Sequence, residues 1–133
     1  MAEFLSTAWV TTLDAAARDA DDLATESSFV VETLVPGPDG DAGYQVRFGP
    51  DGASVTGLVR GPGVATADVV LVTDPDTAWA LHRGTVRAQD AFARGALKVR
   101  GRPELLAGRA ELFAALERAL APVRATTTPP DAR

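Results

Sequence analysis

The sequence predicts an α+β domain: a mostly antiparallel five-stranded sheet covered on one face by helices, in the order α-β-β-β-β-α-α-β-α. Three observations carry this. Residues 3–23 hold apolar side chains at three- and four-residue spacing. The tetrapeptide Gly-Pro-Asp-Gly occurs twice, at 37–40 and 49–52, between short alternating segments. An apolar run at 69–72 then gives way to helical patterns interrupted by one further strand.

A helix over 3–23 aligns Leu5, Ala8, Trp9, Thr12, Leu13, Ala16, Ala20 and Leu23 in one stripe, with Asp14, Arg18, Asp19, Asp21 and Asp22 opposite. Trp9 on that stripe reads as core. Strands are expected over 28–35, 44–48 and 54–60. Proline presets one dihedral and glycine accepts positive φ, so the two Pro-Asp-Gly turns specify an antiparallel meander. Tyr44, Val46 and Phe48 alternate with Gln45 and Arg47, burying one face and wetting the other. The next strand, 68–73, is apolar on both faces and belongs centrally or against a partner surface.

A helix over 75–83 follows Asp74 as its cap, with Asp76 in the first turn, where the helix dipole favours a carboxylate. A second short helix, 87–94, comes after Gly84. The strand 97–99 leads to Gly101, and Pro103 opens a last helix to about residue 121, with Leu105, Leu106, Leu112, Phe113, Leu116 and Leu120 on one side. Residues 1–124 are expected to form the domain, and 125–133, polar and proline-containing, a disordered tail.

The chain has 133 residues, 46% of them hydrophobic, which suits one globular domain able to enclose a modest cavity. Without cysteine, disulfides, thiolate metal sites and cysteine nucleophiles are excluded. No apolar run approaches the roughly 18 residues that span a bilayer. The N-terminus lacks a basic region followed by an apolar stretch, so a soluble, cytoplasmic protein is expected. Net charge is −5, but residues 1–82 carry 13 acidic and three basic side chains, whereas residues 83–133 carry five and ten. Self-neutralisation of two oppositely charged halves is the simpler reading. The sharper one makes Arg83, Arg87, Arg94, Lys98, Arg100 and Arg102 a cationic rim for an anionic membrane surface or a ligand's carboxylate or phosphate.

Catalytic and metal chemistry finds little support. His82 is the single histidine, which rules out multi-histidine metal sites; at a helix end beside Arg83 it is expected to meet carbonyl dipoles or solvent. The acidic run at 19–22 reads as a solvated face, and Asp39-Gly40-Asp41 has Pro50 where a calcium loop needs an acid. Gly61-Pro62-Gly63 lacks the Lys-Ser/Thr of a phosphate loop, and no Gly-x-Ser-x-Gly elbow occurs. An acidic chain with one lysine does not suit nucleic acid. No metal or cofactor is implied.

The segment ADVVLVTDPDTAWALHRGTVRAQDAFARGALKVRG, residues 67–101, resembles the sterol carrier protein-2 (SCP2) lipid-binding family: an Ala-Asp-apolar strand, a Gly, an Ala-Phe pair, then a Gly-x-Leu-Lys-apolar-x-Gly strand. The N-terminal helix and the hairpin at 44–59 extend the resemblance over most of the chain. It implies an SCP2-like fold with a tunnel between sheet and helices for fatty acyl chains, acyl-CoA or sterols, closed by the last helix. Carried onto this sequence, the lining residues implied are Tyr44, Val46, Phe48, Val69, Leu71, Phe92, Leu97 and Val99, faced by Leu112, Phe113 and Leu116. Arg94 stands where the family often carries glutamine; it either biases the tunnel toward anionic lipids or sits in water. The C-terminal Pro-Asp-Ala-Arg is not a peroxisomal address.

The function this implies is non-catalytic binding or transfer of a lipid or other apolar ligand. Its partners would be that small molecule and a transiently touched membrane surface, with the chain a monomer or homodimer. Two alternatives stand beside it. One is an SCP2-like accessory or dimerisation module with a collapsed cavity. The other is a small ketosteroid-isomerase-like enzyme using Glu32, although a lone strand carboxylate usually faces solvent.

Overall fold

The computed structural model describes residues 2–37, 40–58 and 67–129. In chain order the elements are β1 (Ala2–Glu3), α1 (Thr7–Asp19), β2 (Phe29–Val35), β3 (Ala42–Gly49), β4 (Gly52–Gly57), β5 (Val69–Thr73), α2 (Pro75–Arg83), α3 (Ala88–Ala93), β6 (Leu97–Gly101), a 3₁₀ turn at Pro103–Leu105, α4 (Ala110–Thr126) and β7 (Thr127–Thr128). Five strands form one sheet in the order β4-β3-β2-β5-β6; only β2 and β5 run parallel, and the other neighbours are antiparallel.

Alternation along each strand sorts the side chains onto two faces. Phe29, Val31 and Thr33 of β2 stand opposite Phe48, Val46 and Tyr44 of β3, which in turn face Ala53, Val55 and Gly57 of β4. On the other side Val31 and Thr33 pair with Val69 and Leu71 of β5, and these with Gly101 and Val99 of β6. All share the face that meets Trp9, Val10, Leu13 and Ala17 of α1 in one apolar core. The reverse face presents Val30, Leu34, Val70 and Val72 with the exposed Arg47, Lys98 and Arg100. Two glycines are required by close approach. A Cβ on Gly43 (φ 147°) would meet the carbonyl of Thr33, and one on Gly101 (φ 88°) the carbonyl of Asp68, both across a strand pair.

The meander, the strand 69–73 and the Asp74 cap follow the sequence reading. Asp74 accepts the Thr77 N–H at 2.8 Å, and this hydrogen bond, with a second from the Thr77 hydroxyl, holds its carboxyl below the ordinary range. The distal end of the expected strand 54–60 and all of Gly61-Pro62-Gly63 lie outside the described residues, as do Pro38 and Asp39.

Two helical expectations and the expected tail are corrected. The first helix is Thr7–Asp19 rather than 3–23, because the Ser6 side chain accepts the Trp9 N–H and fixes its start, while Ala20 turns extended (ψ 139°) and ends it. Leu23, though fully buried, is reached by the following loop. The last helix is not continuous from Pro103: Gly108, at φ 73°, separates the 3₁₀ turn from α4. Finally, of the tail expected over 125–133, residues 125–128 are built into α4 and β7, and residues 130–133 lie outside the described residues. Thr126 ends α4, and Thr127 and Thr128 pair in parallel with Ala2 and Glu3. Polar threonines are used there as hydrogen-bonding groups: Thr127 Oγ1 donates to the Val123 carbonyl at 2.6 Å and accepts the Trp9 indole N–H at 3.2 Å.

Candidate functional site

The helix layer closes the sheet unequally. Over β3 and β4, α1 packs Trp9 and Leu13 against Phe48, Val46 and Val55, and all five are buried. α4 runs across the layer, from Phe113, whose ring meets Phe48 at 5.8 Å, to Thr127 beside Trp9. Elsewhere in the layer Leu71 and Val99 on the sheet, with Trp79, Leu106, Leu112 and Leu116 from the helical segments, touch the core yet remain partly accessible. Apolar side chains left partly accessible beside a core are surface that an apolar chain could cover.

The residues expected to line a lipid site divide accordingly. Val46, Phe48 and Val69 are buried in the core, and Leu97 is buried on β6. Tyr44, Leu71, Val99, Leu112, Phe113 and Leu116 are partly accessible. Phe92 and Arg94 do not join them. Phe92 is 58% exposed and Arg94, at the end of α3, is exposed. The reason is helical phase: Ala91 is completely buried and takes the inward position of α3, so its neighbour Phe92 points about 100° away.

An aromatic cluster seals the end of the layer where α4 finishes. Phe4 packs edge-on against Trp9 (4.9 Å) and Trp79 (5.2 Å) and stacks on His82 (5.3 Å), while Trp9 also meets Tyr44 (5.2 Å). His82 is thus not at a solvent-facing helix end, as the sequence suggested. Its Nε2 lies 2.9 Å from Thr127 Oγ1. Since that hydroxyl gives its one proton to Val123, the His82 Nε2 carries the hydrogen and donates. Burial, then the charges of Arg124 and Arg83, lower its pKa from 6.5 to about 4, so the ring is neutral near pH 7. Burial also raises the Tyr44 phenol above its ordinary value, opposed by a hydrogen bond with Thr33.

Glu32 is a second correction. It is 4% exposed, in the central strand, and Gln45 Nε2 donates to its Oε1 at 2.8 Å. Its register puts it on the sheet face away from the helices, so it does not point into the apolar layer. No group of three or more His, Asp or Glu among the described residues is placed to hold a metal ion. A separate cleft of about 570 Å³ opens between α1 and the ends of β3 and β4, lined by Leu5, Val10, Val55 and Leu58 but also by Thr7, Thr11, Asp14 and Asp41. Asp14 there is engaged by the Val55 N–H (2.7 Å) and by Arg18. Its mixed lining suits an alkyl chain less well than an all-apolar surface would.

Two residues of the layer escaped the sequence reading. Trp79 stands three residues before His82, a helical spacing that would have placed both on one face. Arg109 lies with its guanidinium carbon 4.7 Å over the Phe29 ring, which no motif signals.

No helix among the described residues is long and apolar enough to cross a membrane. No family model and no curated protein sequence matches the chain. Solved structures do. Sterol carrier protein 2 superposes with a TM-score of 0.60 at 19% identity, covering 92% of this chain and 98% of its own. Palmitated sterol carrier protein 2-like 2 of Aedes aegypti gives 0.57 at 19%, covering 79% and 90%. A stereoselective inverting sec-alkylsulfatase of Pseudomonas gives 0.55 at 18%, covering 81% of this chain but 16% of the enzyme. The chain has the SCP2-like fold.

Proposed function

We propose that this protein binds a lipid or similarly apolar molecule, such as a fatty acid, acyl-CoA or sterol-like compound, between α4 and the β5–β6 half of the sheet. It carries that molecule in the cytoplasm without chemical change. The observation that carries the reading is the set of apolar side chains that pack on the core yet stay partly accessible, Leu71 and Val99 on the sheet and Leu112 and Leu116 on α4. Each methylene moved from water onto such a surface gains about 0.8 kcal/mol, so an alkyl chain needs few polar contacts. The fold shared with a palmitated carrier protein supports the same reading. The exposed Arg83, Arg87, Lys98 and Arg100 would serve transient contact with an anionic membrane surface during exchange.

The test is native mass spectrometry of the purified protein, with organic extraction and lipid analysis of any adduct, followed by titration with a fluorescent fatty acid. One apolar adduct per chain, or saturable uptake by the stripped protein, is expected. A bare mass with no uptake overturns the proposal. A second reading, an accessory or dimerisation module, is favoured by the likeness to a small part of a large alkylsulfatase and by exposed Phe92. A ligand-free dimer in sedimentation would select it.

A further inference from the structure

We infer that the outer edge of β6 takes up an extended segment of a partner protein as a further strand of the sheet, one whose side chains alternate between acidic and apolar. This interaction surface goes beyond the lipid-binding reading above and does not depend on it.

The five-stranded sheet ends at β4 on one side and at β6 on the other. An edge strand turns every second N–H and C=O outward, a template for another strand unless the protein covers it. The β4 edge is covered: α1 packs along it, and the Asp14 carboxylate accepts the Val55 N–H at 2.7 Å. The β6 edge has no such cover. Apart from the ladder to β5, no hydrogen bond involves residues Leu97–Gly101 among the described residues. Lys98 and Arg100 are exposed, and neither has an ion pair among the described residues.

Alternation decides what the added strand must look like. Lys98 and Arg100 stand on the sheet face away from the helices, whereas Leu97 and Val99 stand on the face that bears them. A strand laid beside β6 therefore sets every second side chain next to the two cations and the others next to Leu97 and Val99. Acidic groups suit the first set and apolar groups the second. α3 packs against β6 and carries Phe92, at 58% the one large apolar side chain that is mostly exposed among the described residues. Its ring gives the apolar row of the partner a further surface to cover. The five residues of β6 offer an edge roughly 17 Å long.

Charge selects among the possible occupants. A second copy pairing edge to edge would set Lys98 and Arg100 near their own counterparts, and like charges across a strand pair repel. An anionic bilayer would meet the cations but leave the backbone groups of the edge without partners. An acidic, extended segment satisfies both at once.

The test is fluorescence anisotropy with three labelled probes: the peptide Glu-Val-Glu-Val-Glu-Val, its counterpart with Lys in place of Glu, and a fully N-methylated form of the first. Amide hydrogen exchange is followed in parallel. The acidic peptide is expected to bind about tenfold or more tightly than the basic one, and less tightly as salt is raised. N-methylation should abolish binding, and the bound peptide should slow exchange within residues 97–101. The double variant Lys98→Glu/Arg100→Glu, with its urea midpoint confirming that it folds, should reverse the preference between the two peptides. Phe92→Ser should weaken the acidic peptide by about threefold. Absence of binding to the wild type overturns the proposal, as does binding that N-methylation leaves intact or that gives residues 97–101 no protection. Binding only to phosphatidylcholine–phosphatidylserine vesicles, or a dimer that the double variant abolishes, gives the edge to another occupant and overturns it as well.

Discussion

The two halves of the helix layer are built from the same kinds of residue and packed to different ends. Over β3 and β4, α1 closes against Phe48, Val46 and Val55, and Trp9 is only 1% exposed. On β5 and β6, Val69 and Leu97 are buried as well, but Leu71 and Val99 between them remain partly accessible. The first half resembles the interior of any small domain, where close packing sets stability. The second forgoes some of that packing and keeps a surface free for something else. On the function proposed above, the closed half would hold the sheet's shape while the looser half would receive the ligand.

The largest effect expected from breaking this contrast is in the closed half. Phe48→Ala should cost about 3–5 kcal/mol in urea unfolding, whereas Leu116→Ala should cost roughly 1–2 kcal/mol, because its side chain is only partly buried. Equal losses would mean that α4 seals its half as tightly as α1 does. Next comes the backbone that α1 rests beside. Gly43→Ala forces a Cβ into the Thr33 carbonyl at positive φ and should cost about 2–3 kcal/mol, measured in the same way.

The aromatic seal where the halves meet makes a pH prediction. His82 has a folded-state pKa of about 4 against 6.5 unfolded, so its neutral ring contributes fully above pH 6.5 and that contribution is lost as pH falls toward 4. Thermal midpoints should decline over that window, and His82→Gln should flatten this part of the decline; an unchanged slope would place the titration elsewhere. The smallest effect is at Phe92. With its ring in solvent, Phe92→Ser should alter stability by no more than about 0.5 kcal/mol and leave alkyl-ligand affinity unchanged, a result that isothermal titration would check.

How much of this was legible beforehand depended on whether the signal was local. Tyr44, Val46 and Phe48 were placed on the inner face by alternation, and the register bears them out because the Pro50–Asp51 turn and the Gly49–Gly52 pair pin β3 to β4. Asp74 was readable as a cap from its neighbours alone. The apolar spacing of residues 3–23 overran the true helix, since periodicity does not reveal that Ser6 caps it or that Ala2 and Glu3 have a strand partner more than a hundred residues away. Phe92 was misplaced by one residue of helical phase, which the buried Ala91 decides. His82 depends on Thr127, Trp9 and Phe4, three contacts that no sequence window contains together. Arg109 was hidden by Gly108, whose break in the expected long helix sets where α4 begins. Local chemistry announced the sheet; the aromatic cluster around His82 arises from contacts between distant segments.

The pairing of β1 with β7 sets Ala2 beside Thr127 and Glu3 beside Thr128. Because Thr126 ends α4, this pairing ties the C-terminal end of that helix to the segment that leads into α1. Any outward movement of α4 would therefore pivot about its C-terminal end, with the Phe113 end travelling furthest.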